Sequence, residues 1–497
     1  PSARRFEALL FDKKRKRRVI FNDDADQQFV RKAGPPLNVK DEQSFIDART
    51  TPTFDTHVDT YVWCVGNGAD PPWGRWAETW DYQVQPFLGD IDHGADSIIG
   101  ACHARGMEVW ASFRINDLHD ASAQSIEDTN DPLKARHPEY LLGTIQHRSR
   151  GTEFAESHSW SAFNFERAEV RQHRLEYIKS DAVAHDFDGY ELDFTRFIWN
   201  FPQGRERALA PLMTDFLREV RVELDSIGRG RGRPYTLVTH VPDSLETSLN
   251  LGLDVESWVS NGLVDVLVVG MGFMPNALRL DQWKELGECY NTPIYPSLNT
   301  RPLFRMYKDR FKKDSSLEEY IRGAAARWWQ DGSDGIYLFN LFTHHEHKGF
   351  GPLDKQVVYA PLADIGDPDA LIGKDKIYGI EGPGGMFNQG SEAVVLPVPL
   401  DIHERRLPLN IGPDADDPRA RFQIHVWTSH GTTDVKVWIR LNHVLIKSVW
   451  QNDCYTAEVP HGIFLVGRNE LSVFCNVELV TADAVIIVHE ILVSVKY

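Results

Sequence analysis

Short apolar runs alternate with longer stretches of helical period between residues 53 and 342. The runs are rich in β-branched and aromatic residues, whereas the stretches between them repeat apolar residues every three or four positions. This alternation predicts strand–helix units arranged around a parallel sheet. One of the predicted helices, at 316–332, is opened by Ser315 and closed by Gly332, and both residue types are common at helix ends.

Eight runs have the length and composition of strands, which is the number that a closed (β/α)8 barrel requires. The third is the weakest, because either of two short segments fits it. In chain order the candidates are 57–65, 107–115, 140–145 or 161–165, 189–195, 235–241, 264–271, 292–298 and 334–341. The pattern therefore predicts a TIM barrel.

The pattern changes after about residue 375, where short alternating strands follow one another with almost no helical period. Such spacing is typical of a β-sandwich. We therefore predict an α/β fold in which a (β/α)8 TIM barrel is followed by a C-terminal all-β sandwich. The expected domains are an N-terminal strand-containing segment at 1–50, a barrel catalytic domain at 51–370 and a β-sandwich accessory domain at 371–497.

The N-terminal segment contains one strand-like piece, "RRVIFNDDAD", at residues 17–26. We predict that it either pairs with the β domain or plugs the base of the barrel. The basic run just before it, at 13–18, is predicted to be a solvated lead-in to this strand.

The overall composition narrows the class of protein. A chain of 497 residues with 42% hydrophobic and 25% charged residues is typical of a soluble globular protein of two domains. A formal net charge of −18 would repel a phosphate backbone, so a nucleic-acid partner is not expected. No apolar run approaches the roughly 18 residues of a membrane span, so no membrane partner is expected either.

Cysteine usage and the start of the chain give weaker information. The five cysteines are scattered and have no metal-like spacing, so we expect no metal, no cofactor and no disulfide framework. The chain begins at Pro1 without an apolar segment of signal type, which suggests that a targeting segment is absent from it. We therefore predict a secreted or periplasmic protein, and the oligomeric state stays open.

The stretch "DGYELDFTRF" at 188–197 places two carboxylates in an apolar strand. Because side chains alternate along a strand, Glu191, Asp193 and Thr195 share the face that points into the barrel. Burying unpaired carboxylates there is costly, so the alternative is a structural salt bridge with Arg196. Active sites of TIM barrels lie at the carboxyl ends of the strands, which favours Asp193 and Glu191 as catalytic residues.

A second concentration of polar residues follows the strand at 107–115, in "FRINDLHD". An Asx-type turn explains one Asp or Asn there but not five polar residues together. Asp117 and Asp120 are therefore candidate catalytic acids, and Arg114, Asn116 and His119 are candidate substrate contacts.

Single polar or aromatic residues near other strands complete the predicted site. Sugar rings stack on aromatic side chains while polar groups bind their hydroxyls, so both types are expected around a sugar. Asp243 has a simpler alternative as part of a helix cap. The further predicted substrate contacts are His57, Asp59, Trp63, Arg196, His240, Asp243 and Asn340.

Several segments in barrel order resemble the family-10-like TIM-barrel glycoside hydrolases, a group of mostly uncharacterised, polysaccharide-associated proteins. The resemblance covers roughly residues 53 to 370 and implies a carbohydrate-active hydrolase with an accessory β-sandwich. The matching segments are "EVWASFRINDLHD", "HPEYLLG", "FNFERAEVR", "DGYELDFTRF", "LGLDVESWV" and "DGIYLFNLF".

Three better-known groups of barrels match the site only in part. Retaining barrels carry a nucleophilic Glu at the end of strand seven, where "TPIYPSLNT" has no carboxylate. Chitinase-like barrels resemble "DGYELDFT" but have their catalytic Glu where this chain has Thr195. The α-galactosidase-like barrels resemble the pair Asp193 and Arg196, yet strand six here lacks their partner acid.

The leading hypothesis is a hydrolase of poly- or oligosaccharides, with Asp193 as nucleophile or base. Glycosidic hydrolysis generally requires a second carboxyl group. That group is sought among Asp117, Asp120, Asp243 and Glu191.

Two alternatives stay open. One is a metal-dependent hydrolase that uses His57, Asp59, His240 and Asp193 as ligands. The other is a non-catalytic glycan-binding protein, in which the acid pair is incomplete.

Overall fold

The computed structural model describes most of the chain. The described residues are 15–31, 38–66, 82–88, 93–149, 159–270, 278–346, 353–381, 395–400, 402–429, 431, 435–475 and 485–497. Part of the basic run at 13–18 lies outside them. None of the helices in the described ranges is long and apolar enough to cross a membrane.

Eight strands close into a barrel, as the sequence predicts. They follow one another around the barrel in chain order, and the last closes on the first. The strands are β1 (Val19–Asp23), β2 (Val58–Gly66), β3 (Glu108–Arg114), β4 (Gly189–Asp193), β5 (Thr236–Val241), β6 (Val266–Val269), β7 (Ile294–Leu298) and β8 (Ile336–Phe339).

Helices connect these strands in the order that a (β/α)8 fold requires. They are α1 (Glu42–Arg49), α2 (His93–His103), α3 (Pro132–Arg136), α4 (Ala168–Ala184), α5 (Glu206–Arg231), α6 (Leu245–Asn250), α7 (Val255–Ser260), α8 (Asp281–Tyr290), α9 (Thr300–Arg305), α10 (Ser315–Asp331), α11 (Thr343–Glu346) and α12 (Lys355–Tyr359). A short antiparallel ribbon, Phe29–Arg31 with Tyr82–Val84, lies outside the barrel sheet.

The first barrel strand comes from the N-terminal segment, which corrects two expectations. β1 pairs with β2 in parallel, from Val19 opposite Val58 to Asp23 opposite Trp63, and not with the β domain. The weak third strand predicted at 140–145 or 161–165 is wrong, because those segments form only an isolated bridge between Leu141 and Phe163. The run 189–195 is still the fourth strand, whereas 57–65 becomes the second and 107–115 the third.

A buried ion pair closes the amino-terminal end of the barrel. Arg17, which precedes β1, is fully buried and donates to both oxygens of Glu108, at 2.6 and 3.0 Å. The Thr60 hydroxyl donates to the same carboxylate at 3.0 Å. Because a buried charge without a partner is costly, this pair ties the N-terminal segment to β3.

The barrel interior is filled by large apolar and aromatic side chains from almost every strand. Packing of this kind makes the barrel a core and not a pore. The cluster comprises Ile20, Val62, Trp110, Val238, Val266, Val268, Tyr295, Tyr337 and Phe339.

The C-terminal region forms two antiparallel sheets, in agreement with the predicted sandwich. Its strands are β9 (Lys376–Ile380), β10 (Val398–Pro399), β11 (Arg405–Ile411), β12 (Arg421–Thr428), β13 (Val437–Leu441), β14 (Val444–Lys447), β15 (Val449–Gln451), β16 (Cys454–Val459), β17 (Gly467–Cys475) and β18 (Ile487–Lys496). One sheet has the order β9-β18-β12-β16-β15 with β10 beside β18, and the other has the order β11-β17-β13-β14.

The chain divides into two compact units. The first comprises Pro1–Gly272, Asp281–Ser297 and Tyr337–Phe342, and it contains the polar residues at the carboxyl ends of the barrel strands. The second comprises Phe273–Leu280, Leu298–Ile336 and Thr343–Tyr497, and it contains the two antiparallel sheets. The domain boundaries predicted at residues 50 and 370 stay predictions.

Ile20→Asp tests the role of β1. Ile20 is fully buried in the barrel interior, so a carboxylate there should lower the unfolding free energy of the barrel by several kcal/mol. Urea unfolding followed by circular dichroism measures the change. Val222→Asp is the control, because Val222 on α5 is 60% exposed and should shift stability by only about 0.5 kcal/mol. If Ile20→Asp unfolds at the same urea concentration as the wild type, the assignment of β1 to the barrel is wrong.

Candidate active site

Polar side chains from five barrel strands gather at the carboxyl end of the barrel, within the first unit. They belong to β3, β4 and β5 and to the segments that follow β1, β3, β4 and β8. Most of them are buried and the others are partly buried, so their hydrogen bonds and charges decide what chemistry is available. The group comprises Asp24, Arg114, Asp117, His119, Asp193, Arg196, His240 and Asn340.

Asp193 ends β4 and has one fixed oxygen. Its Oδ1 accepts hydrogen bonds from the backbone N–H of Thr195 at 2.8 Å, from the Thr195 hydroxyl at 3.0 Å and from the backbone N–H of Arg196 at 3.0 Å. Among the described residues, no hydrogen bond to Oδ2 is formed. The turn after β4 therefore holds the carboxylate in one orientation and leaves Oδ2 for a ligand.

Glu191 lies one layer deeper in the barrel and is fully buried. The Ser112 hydroxyl donates to its Oε1 at 2.6 Å, and the Tyr337 hydroxyl donates to the same oxygen at 3.1 Å. Burial and the nearby charge of Asp193 raise the pKa of Glu191 to about 8. At neutral pH Glu191 therefore keeps its proton, and both hydrogen bonds leave Oε2 as the oxygen that carries it.

His240 on β5 is fully buried beside the same two acids. Burial lowers its pKa, although the charge of Asp193 and a hydrogen bond to the Gly270 carbonyl act in the opposite direction. The neutral ring must carry its proton on Nε2, because Nε2 donates to the Gly270 carbonyl at 2.9 Å. Nδ1 is then an acceptor, and it lies 3.9 Å from Oδ1 of Asp193.

Asp117 belongs to a hydrogen-bonded network of charged and polar side chains. Its carboxylate accepts from Nδ1 of His119 at 2.7 Å and from Arg114 at 3.3 Å. Nε2 of His119 in turn lies 3.2 Å from Nη2 of Arg196. Burial acts to raise the pKa of Asp117, but His119 and Arg114 outweigh it, and the pKa lies well below its usual range. Asp117 therefore orients the neighbouring bases and has no proton to give at neutral pH.

Asp120 and Asn116 stabilise the loop after β3 instead of facing the barrel mouth. Asp120 accepts from buried Lys134 at 2.7 Å and from the Ser161 hydroxyl at 2.8 Å. Asn116 donates to the carbonyls of Phe163 and Trp199 and accepts from the N–H of Phe163. Their partners come from residues far away in sequence, so the local motif gave no sign of them.

Three predicted substrate contacts lie elsewhere. His57 directly precedes β2, and Asp59 accepts from Arg18 at 2.7 Å at the same amino-terminal end. Trp63 is 2% exposed and packs edge-on against Phe45 of α1, with 6.0 Å between ring centroids. These positions are at the opposite end or on the outer face of the barrel, so the structure does not bring them together with Asp193.

The remaining predicted contacts follow the carboxyl ends of β4, β5 and β8. Asp243 is buried in the loop after β5, where its backbone carbonyl accepts from the Trp283 indole at 3.0 Å. Asn340 follows β8 in a left-handed conformation, with φ of 52°, and its side chain bonds Asp24. Arg196 follows β4 and faces the charges of Asp24, Asp117 and Asp193.

Asp24, after β1, belongs to the site although the sequence pattern did not nominate it. Its carboxylate pairs with Arg114. Burial acts to raise its pKa, but Arg114 and Arg196 together with the Asn340 amide lower it to about 2. The signal was present in "VIFNDD", an apolar run that ends in acids like the end of β4, but the segment was not expected in the barrel.

The metal-dependent alternative loses its ligand set. His57 and Asp59 lie at the amino-terminal end of β2, whereas His240 and Asp193 lie at the carboxyl ends of their strands. Among the residues that the structure describes, no three His, Cys, Asp or Glu side chains are placed to hold a metal ion.

Comparisons with known proteins give a likeness of fold only. No protein-family model matches the chain, and no curated protein matches it. The chain resembles several solved structures. One is an α-amylase from Geobacillus thermoleovorans complexed with acarbose, which is 13% identical to this chain and has a TM-score of 0.44. The match covers 92% of this chain and 99% of that chain. A second is an endo-β-1,4-mannanase from Thermotoga petrophila, with 8% identity, 96% and 98% covered, and a TM-score of 0.45.

A third is a family-36 α-galactosidase from Geobacillus stearothermophilus in complex with raffinose. It has 12% identity and a TM-score of 0.39, and 93% of this chain corresponds to 56% of that one. These structures are glycoside hydrolases, but identities of this size do not transfer an activity. Membership of the family-10-like group stays a prediction.

Glu191→Gln tests the proton on Glu191. Because folding raises its pKa from 4.5 to about 8, the folded state holds a proton that the unfolded state releases between these values. The stability that this carboxyl contributes is complete below about pH 4.5 and is lost as pH rises to about 8. Between pH 5 and pH 8 the wild type should lose roughly 2 to 4 kcal/mol relative to Glu191→Gln.

Urea unfolding at several pH values measures this difference. Glu285→Gln, at an exposed position on α8, is the matched control and should follow the wild type. Parallel pH curves for wild type and Glu191→Gln would mean that Glu191 is ionised in the fold.

Proposed function

We propose that the protein hydrolyses glycosidic bonds of a poly- or oligosaccharide at the carboxyl end of the barrel, with Asp193 as nucleophile or base. The observation that carries the proposal is the pair on β4: Asp193 has one oxygen fixed by three donors and the other left open, and Glu191 beside it is neutral. Two neighbouring carboxyls resist being ionised together, and in this pair the pKa that is raised is that of Glu191.

The second carboxyl must hold a proton in the resting enzyme. Asp117, with its lowered pKa, and Asp24, with a pKa of about 2, do not meet this requirement. Asp120 is bound to buried Lys134. Glu191 and Asp243 remain, and we assign the proton to Glu191 because its raised pKa keeps it protonated at neutral pH.

The surrounding groups suit a hydroxyl-rich substrate. Arg196 donates hydrogen bonds, Asp24 accepts them, and His119 and Asn340 supply further polar atoms at the same end of the barrel. Sites of this kind orient a ligand through a small number of fixed polar groups.

A non-catalytic glycan-binding function is the second candidate. It is favoured by β7, Ile294–Leu298, which offers no carboxylate opposite Asp193. In that case the site would bind sugar without cleaving it.

Asp193→Asn tests the proposed catalytic role. The amide preserves an acceptor for the three donors but removes the charge, so kcat/KM should fall by at least 10³-fold while the protein stays folded. A screen of neutral, acidic and sulfated polysaccharides by reducing-end release identifies the substrate. Asp215→Asn, at an exposed position on α5, is the control and should keep wild-type turnover.

The outcomes separate the two candidate functions. Turnover that is lost in Asp193→Asn with retained binding in calorimetry supports the hydrolase. Glycan binding by the wild type without any product supports the binding protein. Wild-type turnover in Asp193→Asn contradicts the role of Asp193.

Glu191→Gln and Asp243→Asn together identify the proton donor. A leaving group that needs no protonation bypasses the general acid. The variant that lacks the donor should therefore lose 10²-fold or more on the natural glycoside and much less on a dinitrophenyl glycoside. We expect this pattern for Glu191→Gln. The same pattern in Asp243→Asn alone would assign the donor to Asp243.

A further inference from the structure

A cavity of about 480 Å³ lies within the second unit, apart from the barrel site. It is enclosed by residues 310–319 on one side and by a face of the six-stranded sheet on the other. Small-molecule sites typically have volumes of about 300 to 1,000 Å³. The cavity is therefore large enough for one or two sugar rings.

The sheet face that lines this cavity is polar, although it is buried. Gln423 and His425 on β12, Thr456 on β16 and Ser494 on β18 share this face, because Gln423 pairs with Ser494 and His425 pairs with Thr456 across neighbouring strands. His425, Thr456 and Ser494 are between 4% and 8% exposed. These side chains bond protein groups, because Nε2 of His425 lies 2.9 Å from the Ser494 hydroxyl and the Gln451 amide donates to the Thr456 hydroxyl at 2.6 Å. Each hydroxyl has more than one hydrogen-bonding position, so the face can also bond the hydroxyls of a ligand.

The backbone that covers the cavity departs from regular helix. Met306–Arg310 forms a π-helical turn, and Lys312 has a left-handed φ of 54°. A π-helical turn is rare and often occurs at functional sites, and a left-handed φ is uncommon for a residue other than glycine. Together they end α9 early and place four consecutive residues, Arg310 to Lys313, on the cavity wall.

An aromatic group forms one end of the cavity. The ring of Phe311 meets His425 and Trp427 edge-on, with centroid distances of 5.0 and 5.3 Å. Trp427 is 4% exposed, whereas Phe311 is half-buried and offers part of its ring to the cavity. Aromatic rings beside hydroxyl and amide groups suit the mixed apolar and polar faces of a sugar.

The charges at the wall favour an anionic group on that sugar. Arg310 pairs with buried Glu490, and Lys496 pairs with Glu319 at 2.6 Å and with Asp375 at 3.0 Å. Lys312 has only the exposed carboxylate of Asp453, at 3.4 Å. None of the described ion pairs involves Lys313. Two lysines thus face the mouth against one carboxylate, in a chain with a formal charge of −18.

We propose that this cavity binds an acidic sugar residue, with the anionic group at Lys312 and Lys313 and the hydroxyls on the polar strip of β12, β16 and β18. The inference goes beyond the proposed hydrolase function and does not depend on it. A carboxylate and a sulfate ester have the same charge chemistry here, so the experiment separates them.

Calorimetry on the full chain tests the proposal with four probes: an oligogalacturonate, a sulfated galactan oligosaccharide, a neutral cello-oligosaccharide of the same length and inorganic sulfate. One or both acidic oligosaccharides should bind, and the neutral one and sulfate alone should not. Lys312→Asn with Lys313→Ser should weaken this binding at least tenfold, since asparagine tolerates the left-handed conformation.

The matched control is Lys436→Ser with Lys447→Ser, which changes the net charge equally at exposed positions elsewhere in the sandwich. It should bind like the wild type. Equal loss of binding in both double variants would indicate general electrostatics and overturn the proposal. The proposal would also be overturned if inorganic sulfate bound as tightly as the oligosaccharides, or if neither acidic oligosaccharide bound.

Asp193→Asn distinguishes this site from the barrel. It should abolish any turnover and leave binding at the cavity unchanged. If the protein hydrolyses glycosides but its binding of acidic oligosaccharides does not change when the two lysines are replaced, only the cavity proposal is wrong. If binding depends on the two lysines but no turnover is found, only the hydrolase proposal is wrong.

Discussion

The ion pair between Arg114 and Asp24 is the interaction on which the carboxyl end of the barrel depends. Arg114 is 4% exposed and faces three carboxylates, those of Asp24, Asp117 and Asp193. A buried guanidinium requires such partners, and its charge in turn lowers the pKa values of Asp24 and Asp117. Since Asp24 follows β1 and Asp117 follows β3, the pair also joins the N-terminal segment to the wall of the site.

The same network divides the acids of the site into two kinds. Asp24 and Asp117 lie next to cations, which lower their pKa values. Glu191 lies one layer deeper, where two hydroxyl donors and no cation compensate for burial, and its pKa is raised. The acids beside Arg114 are therefore ionised, whereas Glu191, one layer deeper in the barrel, holds a proton. Acid–base chemistry requires such a division between a charged and a protonated carboxyl.

The sequence predicted seven of the eight barrel strands and the inward face of β4, because alternation and strand spacing are local properties. It predicted a strand at β1 but did not place it in the barrel, since nothing in a short isolated strand shows which sheet it joins, and it therefore missed Asp24. It also nominated Asp117 and Asp120 by their position after β3. The partners of Asp120, Lys134 and Ser161, are brought to it only by the folded loops. His119 is a near neighbour of Asp117 in the sequence, but residue types alone do not show that its ring bonds that carboxylate.

Glu191 shows why burial depth matters as much as position along the strand. Both hydroxyl donors, Ser112 and Tyr337, bind its Oε1, and they favour the ionised form. Burial, and after it the charge of Asp193, outweigh these hydrogen bonds and raise the pKa of Glu191. If Asp193 loses its charge by bonding to a sugar, that electrostatic contribution disappears and Glu191 becomes a stronger acid. The proton is then released more easily at the stage of the reaction when Asp193 is neutralised, which couples the two carboxyls of β4 through their charges alone.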